Sequence, residues 1–429
     1  METKSSFVVN GLGGKKTLKG EISINGAKNA ILKVLAASIL FKDEVTVTNV
    51  PNIEDVSRSF EVLTGLGAVV TKINSDTFKI DTSGISRTDI SVEVSRQMRA
   101  SVVFTGPLLS RFGEVSFPYP GGCVIGKRPI DIFLTGFEKM GAEVSFKDDI
   151  YQIKSPTKKL NGTEIFFRVQ SVTSTETMLM AGILAEGKTV LKNCALEPEI
   201  ASLVNFLNEC GAKIEGVGTS TLTIFGGELL SGKNKIYHTV PDRIEACSFI
   251  ILGALSGKDI KVINCIPEHF ESLTQMLTEA GVNLEIGKDW VRVTEAGVKD
   301  ILPFDIKTHE YPGFATDIQA PMSVLLTQSV GESFIFETIW ENRLNYLEAL
   351  SFMGANVKIL DSHRAIIYGK TPLKGREMDS PDLRAGLAYL LAAIVAEGQS
   401  IVHNAYYIDR GYENIEGRLS QLGVDIKRI

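Results

Sequence analysis

Apolar residues recur along this chain in two alternating patterns. The first is a short phrase: a helix-like tail, a glycine, a small apolar residue, any residue, then a β-branched or aliphatic one. It reads LGAVV at Gly67, MGAEV at Gly141, CGAKI at Gly211, AGVNL at Gly281, MGANV at Gly354 and LGVDI at Gly423. Successive glycines lie 74, 70, 70, 73 and 69 residues apart. A glycine there supplies the left-handed cap that ends a helix, and the alternation after it predicts a strand. The second pattern lies upstream of each glycine and is mostly apolar: AKNAILKVLAASILFKDEVTV, MRASVVFTGPLLSRFGEVSF, STETMLMAGILAEGKTVLKN, RIEACSFIILGALSGKDIKV, TDIQAPMSVLLTQSVGESFIF and DLRAGLAYLLAAIVAEGQSIV. Segments hydrophobic nearly all round predict enclosed helices, each followed by a turn and a strand. Each unit thus reads helix–strand–helix–strand plus one or two strands. Six of them predict an α/β chain of two domains with three units each.

The repeat also says where chemistry can sit. Helix N-termini carry partial positive charge and free N–H groups, so the starts of enclosed helices gather anions. At or just before the apolar helices the chain places Lys28 and Asn29, Arg99, Ser171 to Thr175, Asp242 and Arg243, Asp317, and Asp382 to Arg384. Near the second helix of several units it places Cys123 with Arg128, Glu197 with Glu199, Glu341 with Arg343, and Asp409 with Arg410. Some of these could be caps or ion pairs. So many arginines beside buried helix ends point instead to an anion-binding cleft between the two halves, because a buried unpaired charge costs several kcal/mol.

Composition narrows the class. The 429 residues carry a formal net charge of −6, with 44% hydrophobic and 22% charged residues. That balance argues against a nucleic-acid or anionic-membrane partner. The N-terminus lacks a signal-peptide pattern, and the longest late apolar run, Ala385 to Ala396, is too short to span a bilayer. Five cysteines without CxxC spacing and only five histidines predict no structural metal and a reducing, cytoplasmic home. Cys194, Cys210, Cys247 and Cys265 read as inert core thiols. Cys123 differs: in YPGGCVIGKRPID it follows two glycines and precedes Lys127 and Arg128. Neighbouring cations lower a thiol pKa and make it a usable acid, base or nucleophile. GLGG at 11–14 lacks dinucleotide-fingerprint spacing.

NGAKNA (25–30), RQMRAS (96–101), PGGCVIGKRPID (120–131), LEPEI (196–200), PDRIE (241–245), TDIQA (316–320), ETIWENR (337–343), PDLRA (381–385) and YYIDRGYENIE (406–416) together carry a resemblance. From about Leu18 to the C-terminus the chain is similar to the UDP-N-acetylglucosamine 1-carboxyvinyltransferase family of enolpyruvyl transferases. The resemblance implies an inside-out α/β barrel in two domains. One comprises residues 1–27 plus 238–429, closed by the N-terminal strand; the other comprises 28–237 and carries the PGGC loop; the active site lies in the cleft between them. It implies transfer of the enolpyruvyl group of phosphoenolpyruvate to the 3′-hydroxyl of UDP-N-acetylglucosamine, through a tetrahedral ketal, with release of phosphate. That is the committed step of peptidoglycan synthesis, run without cofactor or metal and blocked by fosfomycin.

The same resemblance assigns phosphoenolpyruvate to Lys28, Asn29, Arg128, Arg384 and Arg410, and the catalytic roles to Cys123 as acid and Asp317 as base. It assigns the nucleotide sugar to Arg99, Arg128, Pro129, Ile130, Asp131, Ile132, Ser171, Val172, Thr173, Asp317 and Ile339. A helix-capping aspartate is the competing reading of Asp317. The chain departs from the family pattern at SVTST (171–175), usually SVGAT, at Phe133, often histidine, and at ENRL, commonly ENRF. These departures touch the acceptor side, so another nucleotide sugar is the alternative acceptor, with shikimate 3-phosphate a more distant one.

Overall fold

A computed structural model describes residues 5–120, 130–295 and 300–429. The described residues form two compact units, one of residues 5–25 with 241–429 and one of residues 26–120 with 130–240. Each unit has its own apolar core.

The six apolar segments are helices that turn no face to water. Every residue from Ala30 to Ala37 is buried, as is every one from Ser174 to Gly182, Ile244 to Ser256, Ile318 to Thr327 and Arg384 to Val395. In one unit the helices Arg243–Ser256, Thr316–Gln328 and Leu383–Val395 pack on one another. The second segment departs from the expected single helix. It begins as a 3-10 stretch, Arg99–Phe104, and becomes α-helical only at Thr105–Phe112. Pro107 accounts for the break: its missing N–H and fixed φ fit the first turn of a helix and not its interior.

Around the enclosed helices the described residues form six sheets, five of four strands and one of three. Their order repeats. The strand after the buried helix takes a parallel neighbour on one side and an antiparallel hairpin on the other, as in Ile306–Lys307, Gly331–Phe336, Arg364–Gly369, Asn356–Ile359. In the three-stranded sheet a single parallel bridge, Asp89 to Ser116, stands where the edge strand would be. Helices inside and sheets outside make each unit an inside-out α/β barrel.

Closure uses distant pieces of chain. Ile236–His238 returns to pair with Val45–Thr48, and Leu18–Ser23 pairs with Gly257–Ile263. Phe7–Asn10 inserts between Gln399–His403 and Asp425–Arg428 and so completes the last sheet. GLGG now has a task. The N–H groups of Gly11, Leu12, Gly13 and Gly14 donate to the carbonyls of Gly398, Ile394, Ala396 and Val395, at and just beyond the C-terminal end of helix Leu383–Val395. A Cβ on Gly11 would lie 2.0 Å from the Ala396 oxygen, so only glycine can approach so closely.

All six phrase glycines sit in the left-handed region, with φ from 84° to 108°. Gly281, at 84°, has open space where a Cβ would go, which separates backbone strain from crowding. Gly281→Ala should therefore lower stability by only about 1–2 kcal/mol, read as an earlier urea midpoint with an unchanged slope.

Candidate active site

In the unit containing residues 241–429, three segments converge on Asp317. The aspartate is the second residue of helix Thr316–Gln328, whose N-cap is Ala315 with no side-chain cap bond, so the capping reading gives way. Its carboxylate turns to two guanidiniums. Arg343 Nη2 donates to Oδ1 at 3.0 Å, and Arg384 donates to Oδ2 from Nε at 3.1 Å and Nη2 at 2.9 Å. Both arginines are buried, 4% and 6% exposed.

Arg384 is fixed further by the start of its own helix. Asp382 caps that helix, accepting from the Arg384 and Ala385 backbone N–H groups. Arg384 Nη1 donates to the Tyr412 hydroxyl at 3.1 Å, which lies 3.1 Å from the Ser248 hydroxyl, which in turn donates to the Ile244 carbonyl. Burial works against the charge on Arg384, but Asp317, with Tyr412 and Asp242, more than offsets it and holds its pKa above the usual value. Burial pushes the Tyr412 phenol up to about 12, so it stays protonated. Arg410 follows the short helix Tyr406–Asp409 and is half-buried.

In the other unit, Lys28 opens helix Lys28–Ala37, with its ammonium 2.6 Å from the buried carboxylate of Asp55. Asn29 beside it is half-buried. Arg99 donates to the Pro120 carbonyl at 3.2 Å. With Tyr119, Ile130, Asp131 and Tyr151 it lines a pocket of about 170 Å³. Asp131 opens helix Asp131–Lys139 and pairs with Arg168; Ile132 packs on the core. Ser171 caps helix Val172–Gly182 through its hydroxyl, which accepts from the Ser174 N–H. The departures from the family pattern divide accordingly. Ser174 is buried, Thr173 stays half-exposed, and Phe133 sits in the core against Phe137; Thr175, which keeps the pattern, accepts from the Ala195 N–H. Ile339 is half-buried in the loop that leads to Arg343. Cys123, Arg128 and Pro129 lie outside the described residues.

Asp317 and Arg384 are thus brought together in one unit; Lys28, Arg99, Asp131 and Ser171 lie in the other. The partners Asp55, Arg343 and Tyr412 carried no assigned role in the sequence. Only Arg343 left a signal there, as one of the charges near a second helix. The other four cysteines are buried, and burial raises each thiol, Cys194, Cys210 and Cys265 to about 11 and Cys247 further. Among the described residues no cluster of three or more His, Cys, Asp or Glu could hold a metal ion, and no helix is long and apolar enough to cross a membrane.

Comparison with known proteins agrees with this architecture. The family model for EPSP synthase (3-phosphoshikimate 1-carboxyvinyltransferase) matches residues 12–419. A crystal structure of an enolpyruvyl transferase from Streptomyces tendae superposes with a TM-score of 0.86 at 22% identity, covering 99% of each chain. EPSP synthase from Acinetobacter baumannii gives 0.72 at 16% identity, over 99% of this chain and 100% of that one. These likenesses define the class by its fold, that of the enolpyruvyl transferases. Two similar relatives are both named UDP-N-acetylglucosamine 1-carboxyvinyltransferase. The one from Koribacter versatilis is 44% identical over 97% of this chain and 95% of its own, and the one from Desulforapulum autotrophicum 43% over 97% and 98%. The chain belongs to the UDP-N-acetylglucosamine 1-carboxyvinyltransferase family.

One buried charge gives a pH test. Glu176, wholly buried in helix Val172–Gly182, lies 2.9 Å from the Lys33 ammonium. Burial raises its pKa from 4.5 to about 7, with Lys33 pulling the other way and Glu199 and Glu197 adding to the rise. Between those values the folded protein keeps a proton that the unfolded chain has released. Stability therefore falls as pH rises from about 4.5 to about 7 and levels off above. Glu176→Gln should flatten that slope, which amounts to at most about 3 kcal/mol, in urea titrations run across the window.

Proposed function

We propose that this protein transfers the enolpyruvyl group of phosphoenolpyruvate to the 3′-hydroxyl of UDP-N-acetylglucosamine and releases inorganic phosphate. The observation that carries the reading is Asp317, set at the start of an apolar helix between Arg343 and Arg384. The relatives' names support the transferred carboxyvinyl group and the acceptor.

On this reading Lys28, Arg128 and Arg410 hold the donor's phosphate, with Asn29 nearby, and Arg384 meets its carboxylate. Guanidinium forks suit both groups, and the lysine acts as a point charge. Arg384 reaches the donor by exchanging one carboxylate for another, which leaves Asp317 to accept the proton of the sugar 3′-hydroxyl. The oxygen attacks C2 of phosphoenolpyruvate while Cys123 protonates the methylene carbon, giving the tetrahedral ketal. Loss of a methyl proton and of phosphate then restores the double bond. The cations stabilise charge that develops on the departing phosphate. Arg99, Arg128, Pro129, Ile130, Asp131 and Ile132 take the uridine diphosphate together with Ser171, Val172 and Thr173, and Ile339 meets the sugar. The product serves peptidoglycan synthesis in the cytoplasm, hence cell shape and division, and Cys123 is the residue fosfomycin would alkylate.

Phosphate release tests this. With phosphoenolpyruvate and UDP-N-acetylglucosamine the wild type should turn over, and with shikimate 3-phosphate it should not. Cys123→Ala and Asp317→Asn should each lose activity on the order of 100-fold or more, the scale of a lost general acid or base. Fosfomycin should inactivate the wild type and add its mass only where Cys123 is present. Folded enzyme silent with UDP-N-acetylglucosamine would remove the assigned acceptor.

A further inference from the structure

The repeats allow one part of this chain to be read against another. Directly after the strand that follows the buried helix, four units place an asparagine in left-handed backbone: Asn49, Asn193, Asn264 and Asn404, with φ of 54° to 59°. Three of these amides reach across to the chain just beyond the parallel edge strand, donating to the carbonyls of Thr239 at 2.7 Å, Phe167 at 2.9 Å and Ile24 at 2.7 Å. The amide of Asn404 donates to Asp379, the last residue of its own edge strand. In the fifth unit the corresponding residue, after Gly331–Phe336, is Glu337.

Glu337 is wholly buried and accepts four hydrogen bonds from neutral donors. Oε1 accepts from the Thr308 hydroxyl at 3.0 Å and from the N–H groups of Ile339 at 2.9 Å and Trp340 at 3.2 Å. Oε2 accepts from the Thr316 hydroxyl at 2.9 Å. The Thr308 contact repeats what the asparagines do, joining the unit to its edge strand. The other three do something new. Thr316 is the residue before Asp317, and Ile339 and Trp340 begin the turn that leads to Arg343. Burying a carboxylate is costly, and an asparagine serves the architecture elsewhere.

We propose that Glu337 is a positioning residue: one carboxylate ties the helix start bearing Asp317 to the loop bearing Ile339 and Arg343, and so fixes the base against its guanidinium partner and the sugar contact. The proposal rests on the functional reading given above. Glu337 itself touches no reacting atom.

Steady-state phosphate release on Glu337→Gln, Glu337→Asn, Thr316→Val and Thr316→Ser provides the test. Glu337→Gln should keep the wild-type thermal midpoint within a few degrees and lose kcat on the order of 10–100-fold, the scale of a small misplacement of reacting groups. The KM for UDP-N-acetylglucosamine should rise and that for phosphoenolpyruvate change less. Thr316→Ser, which keeps the hydroxyl, should rescue most of what Thr316→Val loses. A second readout needs no activity. The chain has two tryptophans, Trp290 and Trp340, so Trp290→Phe leaves Trp340 as the sole reporter of the loop. Acrylamide quenching of Trp340 should increase when Glu337→Gln is added. Unchanged quenching, or full kcat in Glu337→Gln, overturns the proposal. A lowered thermal midpoint with kcat unchanged in the folded fraction also overturns it and leaves a structural role alone. A wild type silent with UDP-N-acetylglucosamine, but with Trp340 loosened in the variant, removes the functional reading and keeps the tether.

Discussion

A helix with no polar face can exist in water only if it is enclosed. This chain has six such stretches, three to a unit, and enclosing them decides most of the remaining architecture. The sheets must lie outside, and the polar residues must collect at the helix ends. Those ends carry unpaired N–H groups and a partial positive charge. Asp382 and Asp242 satisfy two of them as caps, and Ser171 a third. The starts at Lys28, Arg99 and Thr316 have no side-chain cap. These three uncapped starts carry Lys28, Arg99 and Asp317, all of which the functional reading uses.

Charge at these positions is never left bare in the described structure. Lys28 leans on Asp55, and Arg343 and Arg384 share Asp317. Several kcal/mol separate a buried ion from its paired form, so the cations stay ordered only while each has a counter-charge. An anionic substrate entering such a site trades partners and creates no new charge. The affinity it gains is the difference between two pairings, smaller than either alone. On the proposed reading what the arrangement gains is preorganisation, since both guanidiniums are already held on one carboxylate.

The repeat was legible because it is written in glycine and in apolar runs, both of which act locally. Six glycines at near-constant spacing announced six helix ends, and all six adopt the left-handed backbone that spacing predicts. The 3-10 start at Arg99 escaped because composition alone does not mark where Pro107 restarts the helix. The left-handed asparagines escaped because a single polar residue after a strand reads as an ordinary turn. In the site, Asp317 and Arg384 could be picked out from their own motifs. Their union, and the roles of Arg343, Tyr412 and Asp55, depend on pairs formed across tens of residues, which no local pattern records.

The N-terminal strand carries a consequence in time. Phe7–Asn10 is hydrogen-bonded on both sides by strands about 390 to 420 residues later, and the GLGG segment clamps a helix that ends at Val395. A ribosome adds about 5–20 residues per second. That strand therefore waits on the order of 20–80 seconds for its neighbours. Meanwhile the intervening unit, residues 26–240, has all of its own strands, including the returning Ile236–His238, once some 240 residues are out. Over that interval the nascent chain carries a short run of three apolar residues, Phe7 to Val9, with both strand edges open. The charged residues that follow it, Lys15, Lys16, Lys19 and Glu21, are of the kind that discourages an open edge from pairing with another copy.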